Sequence, residues 1–412
     1  MTNQAENLKN DCMEQIWAYF SWWDGVLLGG LFLCTLFIIS FYWRFYRPVY
    51  KRPKRPETGA AAAPPTPDGP ACGISEVNSG QNQSENLKKN LPFWLDQTYA
   101  RSEVIVVYDY TDDDLNLLLT GMEDPHGRLK CVQENQNIIF FDQEKFSLSI
   151  GLKSAAYPYV LLTNADCRPE NQDCLEHIAA AIGDNTQVLA GYSLYPARQG
   201  SALARYFHDE RILQSLGLIL AGKPCAASRH ALLYHKDIFL QHHGYTAFYT
   251  LNGGNYDVFA HYLAAPDEAG ALAAKAARLR YTSRLSFGHW LREERQYINA
   301  SNWRPSAARK AGVAYRYAMF GYHLSFVGWL LYTLLVRFPE GPYCLLAAGL
   351  FALCILLKGL FQFITRYKAH RQLGESRLWW GAPFFEWLYI CLCPFWTLRR
   401  KQIRPGKRKK RP

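Results

Sequence analysis

An α/β domain with a largely parallel sheet, carried on N-terminal and C-terminal transmembrane helices, is the fold class the sequence predicts. Three observations lead to it. Short apolar runs alternate with amphipathic stretches from about residue 72 to 316, long uncharged runs flank that region, and the basic residues crowd beside those runs.

The N-terminal run comes first. Gly25 to Trp43 carries no charge and is long enough to cross a bilayer, with Trp22, Trp23, Tyr42 and Trp43 as interfacial aromatics. Acidic residues precede it (Glu6, Asp11, Glu14, Asp24), and six basic ones follow, at Arg44, Arg47, Lys51, Arg52, Lys54 and Arg55. A cleaved signal peptide has the opposite polarity, so the run reads as an uncleaved anchor with residues 1–24 outside and the bulk of the chain in the cytoplasm. Pro56 to Pro70 is Ala, Pro and Gly without apolar bulk, which completes a linker over 44–71.

The central domain, 72–316, contains strand-like runs at EVIVVYD, NIIFF, YVLLTNAD and QVLAGYSL. Helical patterns occupy Ser84 to Leu95, Gln143 to Ala156 and Asn171 to Ile182. Ligands in such a fold gather at the carboxyl ends of the strands. Residues 317–336 and 343–364 form a second membrane unit, a hairpin. The stretch 378–398 holds Pro383, Glu386 and Pro394, and a full crossing would carry the nine basic residues between Arg399 and Arg411 outward. The 365–398 segment is therefore expected to contain a re-entrant or interfacial element, with 399–412 as a cytoplasmic basic tail. No charge pair stands out within the membrane segments, which argues against a transporter.

The 46 Lys and Arg against 35 Asp and Glu would suit nucleic acid only if spread over the folded surface. They are clustered at membrane flanks without a recognition motif, so the expected partners are membrane lipids and not nucleic acid. The eleven cysteines are odd in number and lack metal spacing. They read as small hydrophobes in a reducing compartment.

Two strand ends carry candidate chemistry. In YVLLTNADCRP an apolar strand runs into Asp166, where a carboxylate can hold a divalent cation against a departing diphosphate or can simply cap a turn. The strand Glu103 to Tyr108 ends in Asp109, which can accept from a nucleobase imide. Asp112, Asp113 and Asp114 are expected to cap the next helix.

Several features in this order resemble membrane-bound family 2 glycosyltransferases over Ile74 to about Trp303. Gln81, Asn82, Gln83 and the pair Asn86-Leu87 match the family's first turn and helix opening. Gln143 to Leu148, with Lys145, matches a Gly-Lys-Lys-x-Ala-Leu helix start. Asn164-Ala165-Asp166-Cys167-Arg168-Pro169 matches the acidic-x-acidic strand end, and Gly222 to Lys236 the acceptor-side strand. Gly254 to Phe259 matches the general-base motif, and Trp290 to Tyr297 the diphosphate segment. The resemblance implies a GT-A-like nucleotide-sugar-binding domain, with Asn82, Gln83, Asp109, Lys145, Asn164 and Arg295 toward the donor. Gly222, Trp290 and Arg292 fall on the acceptor or diphosphate side, Asp166 on a manganese or magnesium ion, and Asp257 or Asn255 at the base position. It further implies a nucleotide-sugar donor, a glycan or lipid-linked acceptor, and a multi-pass inner-membrane location.

Charged positions of the family pattern are replaced while the apolar scaffold survives. Gln83 and Asn164 stand where acids are usual, and Asn255 and Tyr256 displace the base. Glu293-Glu294 and Tyr297 replace Gln-Lys and His, placing two negative charges where a diphosphate lies. Two readings follow: an active inverting transferase, or a degenerate transferase fold serving as a non-catalytic subunit of a membrane protein partner.

Overall fold

The computed structural model describes residues 21–51, 72–80, 83–109, 111–134, 143–197, 199–223, 231–248, 265, 268–299, 306–336, 343–373 and 377–397. The chain enters through helix α1 (Trp22–Phe41). Ser21 caps it in a reciprocal box with Asp24, and the Ser21 hydroxyl lies 2.8 Å from that of Tyr332. A π turn (Tyr42–Tyr46) and a final α turn (Arg47–Tyr50) carry the helix beyond its apolar run.

The α/β unit is a seven-stranded sheet in the order β3-β2-β1-β4-β8-β6-β9. Its strands are β1 (Ile74–Ser79), β2 (Ser102–Asp109), β3 (Leu129–Glu134), β4 (Tyr159–Leu162), β6 (Val188–Ala190), β8 (Leu232–His235) and β9 (Ala269–Ala271). The pairs β1/β2, β2/β3, β1/β4 and β6/β9 are parallel, while β8 runs antiparallel to β4 and β6. A small second sheet orders β5 (Cys167–Pro169), β10 (Leu279–Tyr281) and β7 (Ser193–Leu194).

Alternation along β2 shows why this sheet is covered on both faces. Val104 and Val106 join Leu87, Leu91 and Trp94 of α2 (Ser84–Leu95) on one side. Ile105 and Val107 join Leu148 and Leu152 of α4 (Gln143–Ser154) on the other. A strand buried on both faces must be apolar throughout, as SEVIVVYD nearly is. Between β2 and β3 lies α3 (Asp113–Thr120), whose cap is Asp112: its Oδ1 accepts from Leu115 N–H at 3.0 Å, as its sequence position leads one to expect. Two short helices, α5 (Cys174–Ala179) and α7 (Lys236–Gln241), follow β5 and β8.

Helix α6 (Ala202–Leu220) joins the domain to the long apolar helices. A Cβ at Gly217 would lie 1.7 Å from the carbonyl oxygen of Phe45, so only glycine admits the π turn this close. Helix α6 then ends at Gly222, whose φ of +70° is the left-handed stop, and Lys223 N–H returns to Leu218 O at 2.8 Å. After it come α8 (Phe287–Asn299), α9 (Ser306–Val336), α10 (Tyr343–Leu373) and α11 (Ala382–Thr397).

Helix α1 with its extension, α9 and α10 are each long and apolar enough to cross a membrane. All three outrun the predicted apolar stretches. Helix α11, at 16 residues, spans roughly 24 Å, shorter than a hydrocarbon core of about 30 Å.

The expectation of no charge pair in these segments is overturned. Lys358 Nζ of α10 donates to Glu386 Oε2 of α11 at 2.6 Å, and Arg366 Nη2 reaches both Glu386 Oε1 and Glu210 Oε2 of α6 at 2.8 Å. Gln362 and Tyr46 complete the cluster, at 2.8 Å from Glu386 and 3.0 Å from Glu210. The sequence hid it because its members lie on separate helices. It fastens α10 and α11 to the α/β unit, a structural task that needs no transport path.

Candidate active site at the strand ends

Strand β1 feeds β2 on one side through α2, while β4 lies on its other side. This places a topological switch point between the carboxyl ends of β1 and β4, where open α/β sheets hold ligands. Asp109, Gln83 and the Asn164–Asp166 turn all follow strands that end there.

Asp109 closes β2 and is buried to 8% exposure, with Oδ1 accepting from Thr111 N–H at 2.9 Å. Gln83 hangs its N–H on Gly80 O at 3.1 Å and accepts from Asn86 Nδ2 at 2.6 Å, a local turn that starts α2. Beneath the turn, Thr163 donates to Asn78 Oδ1 at 3.0 Å and to Glu76. Glu76 is fully buried, and desolvation pushes its carboxyl up to about 8.

After β4 the chain folds back sharply. Asn164 Oδ1 accepts from Ala165 N–H at 2.9 Å and its carbonyl from Cys167 N–H at 2.8 Å. Asp166 is thereby presented and then pinned from a distant segment. Thr282 N–H donates to its carbonyl at 2.8 Å, and Ser283 Oγ donates to its Oδ2 at 2.6 Å. Asn90 of α2 ties the two segments together, donating to Ala165 O at 2.8 Å and Thr282 Oγ1 at 2.9 Å. Asp166 Oδ1 is buried without a hydrogen-bond partner among the described residues. Burial raises the Asp166 pKa and Glu293 adds to that, while Ser283 and the charge of His289 oppose it.

The charge problem at Glu293-Glu294 has a local solution. Burial alone would raise Glu293, yet the His289 hydrogen bond and the charges of His208, Arg211 and His289 hold it down at about 2. Glu294 pairs with Arg211, whose guanidinium also lies 4.5 Å from the centre of the Tyr297 ring. Helix α6 thus answers both acids through His208 and Arg211. Those two arginines are exposed. Trp290 is fully buried, with its ring centre 5.4 Å from that of Phe207, and so anchors α8 to α6.

Lys145 is fully buried on the first turn of α4. Gly222 is the helix stop described above. Asn82, Asn255 and Asp257 lie outside the described residues, as do 224–230 of the Gly222 to Lys236 segment and NIIFF. Sequence reading missed Asn90, Thr282, Ser283, His208 and Arg211. His289, one turn before Glu293 on α8, sits 3.4 Å from it.

Among the described residues no group of three His, Cys, Asp or Glu could hold a metal ion. The one carboxylate oxygen of Asp166 left without a hydrogen-bond partner still fits a magnesium-type cation, which takes one or two carboxylates and completes its shell with substrate phosphates and water.

No family model and no curated protein matches the chain by sequence. Solved structures do match. The mannosyltransferase PcManGT from Pyrobaculum calidifontis, determined with GDP-Man and Mn2+, is 12% identical with a TM-score of 0.52, over 90% of this chain and 99% of its own. S. aureus TarS 1-349 is 18% identical with a TM-score of 0.39, over 73% and 89%. The chain shares the fold of PcManGT, with a mostly parallel central sheet, and has apolar helices toward both ends.

Proposed function

We propose that the chain is a membrane-bound, inverting glycosyltransferase that moves a sugar from a nucleotide donor to a lipid-linked or surface glycan acceptor at the cytoplasmic face of the inner membrane. The observation that carries this is Asp166: a carboxylate at the switch point, locked by Ser283 and Thr282, with one buried oxygen left for a ligand. PcManGT, with its GDP-Man and Mn2+, adds support for a nucleotide-sugar donor and a divalent cation.

In this reading Asp166 and Asn164 hold the cation, and Asp109 with the Asn82–Gln83 turn receives the nucleoside. When bound, the cation neutralises charge on the departing diphosphate. Arg292 and Arg295 on α8 face solvent and attract the same diphosphate, while Arg211 and His208 keep Glu293 and Glu294 from repelling it. Lys145 steadies the opening of α4, and Gly222 and Trp290 fix the two ends of the acceptor side. Asp257 takes the acceptor proton, with Asn255 beside it.

A screen of radiolabelled UDP- and GDP-sugars against extracted membrane lipids and glycans tests the reading. Transfer of label by the wild type, and none by Asp166→Asn, is the expected result. Hydrolysis and transfer both absent with every donor would contradict it. The second reading, a non-catalytic subunit, draws on one observation: Asn164 stands where a second charged ligand would be, leaving Asp166 as the lone carboxylate. Such a subunit would co-purify with a membrane protein partner that carries the activity.

A further inference from the structure

A cavity of about 290 Å³ opens between α1 with its extension and α10. Its level in the molecule is set by the contacts around it. On the α1 side, Phe45 packs on Gly217 and Tyr46 bonds Glu210, both of α6. On the α10 side, the carbonyl of Leu373 accepts from Tyr192 at 3.2 Å and from Arg278 at 2.7 Å. The cavity therefore sits where two membrane helices meet the α/β unit, the depth of a lipid headgroup.

Its lining is divided in two. Leu360, Phe361 and Ile364 give an apolar wall, and Arg47, Lys51 and Lys368 bring three cations. No Asp or Glu lines the cavity, and none of the three cations pairs with a carboxylate among the described residues. The nearby acids Glu210 and Glu386 are taken by Arg366 and Lys358 elsewhere on α10. Aromatic rings hold the cations at the rim: Arg47 lies 3.7 Å over the Trp43 ring, and Lys368 Nζ 5.8 Å from the Tyr50 ring. Unpaired cations above an apolar groove ask for an anion that carries a hydrocarbon tail.

We propose that this cavity binds one anionic glycerophospholipid, its phosphate among Arg47, Lys51 and Lys368 and an acyl chain against Leu360, Phe361 and Ile364. The site rests on the membrane placement within the proposed function and not on the transferase reading. A lipid here would fill the gap between α1 and α10 and so fix the angle at which the α/β unit meets the bilayer.

The test uses the full chain in phosphatidylcholine nanodiscs containing, at equal mole fraction, a diazirine-bearing phosphatidylglycerol or a diazirine-bearing phosphatidylcholine, with labelled peptides mapped by mass spectrometry. The expected result is phosphatidylglycerol labelling of the Trp43 to Lys51 and Leu360 to Lys368 peptides, about fivefold or more above the zwitterionic probe. The variant Arg47→Gln/Lys368→Gln, at positions outside the core, should lower that labelling about fivefold, to the level of the zwitterionic probe, with an unchanged melting curve. Equal labelling by the two probes, or labelling unchanged in the variant, would overturn the site. Displacement by glycerol phosphate alone would overturn the lipid, and displacement by a polyprenyl phosphate would reassign the cavity to an acceptor. A chain that fails to float with liposomes would sink the membrane placement itself, which is a distinct outcome from labelling without headgroup preference.

Discussion

Ser283 and Asp166 are separated by more than a hundred residues, and their hydrogen bond decides what Asp166 can do. One carboxylate oxygen is occupied and the other is buried and open, so the side chain is oriented before any ligand arrives. Asp166→Asn keeps the shape and removes the charge; transfer should fall at least about a hundredfold with the fold unchanged by circular dichroism. Ser283→Ala frees the carboxylate to rotate and should raise the metal concentration needed for half-maximal activity while leaving nucleotide contacts alone. A change in nucleotide affinity without metal would instead show that Ser283 touches the nucleotide. A second pair is open to the same kind of test. Arg211→Met leaves Glu294 buried without its partner and should cost about 3 kcal/mol in unfolding free energy, while Arg211→Met/Glu294→Met recovers most of that loss.

At the scale of elements, β1 carries an ionisable group in the middle of a buried strand. Glu76 stays protonated in the fold up to about pH 8 but ionises in the unfolded chain above about 4.5. Its contribution is therefore fully present below the unfolded value and is lost as the pH rises through the folded one. Glu76→Gln should raise stability by about 3 kcal/mol near pH 7 and change it little near pH 4, read from denaturant unfolding at both. An equal gain at both values would show that Glu76 is ionised in the fold. The elements themselves were unevenly legible. Ser84 to Leu95 was readable because its apolar residues fall on one helical face, and β2 because a strand covered on both sides has a nearly continuous apolar run. Strand β3, LKCVQE, was missed because it is the edge of the sheet and half exposed, leaving no run and no clean alternation. The site was legible at Asp109 and Asp166, where strands end. It was not legible at Ser283, Asn90 or Arg211, whose proximity is made only by the fold.

For the whole molecule, the cluster of Glu210, Glu386, Arg366 and Lys358 joins the α/β unit to the long apolar helices by setting two acids against two bases. A buried network of this kind adds little over an apolar contact but is costly to break, because an unpaired charge is left behind. Arg366→Met should lower the unfolding free energy by about 3 to 5 kcal/mol in detergent, and Arg366→Met/Glu210→Gln by less. If both variants melted with the wild type, the contact between unit and helices would have to be carried by the packing at Gly217 and the hydrogen bonds of Tyr192 and Arg278 to Leu373 O. Hydropathy could place the long apolar helices but not this joint. Lys358 and Arg366 look in sequence like flanking charges, and Glu386 like a residue that interrupts a span.

The central claim is a metal-dependent nucleotide site at Asp166, and calorimetric titration of UDP and then GDP into the purified chain, with and without manganese, tests it without knowledge of the acceptor. The account predicts micromolar binding of one nucleotide that requires manganese and disappears in Asp166→Asn. Binding of neither nucleotide by a well-folded sample, or binding indifferent to both manganese and Asp166, would contradict it.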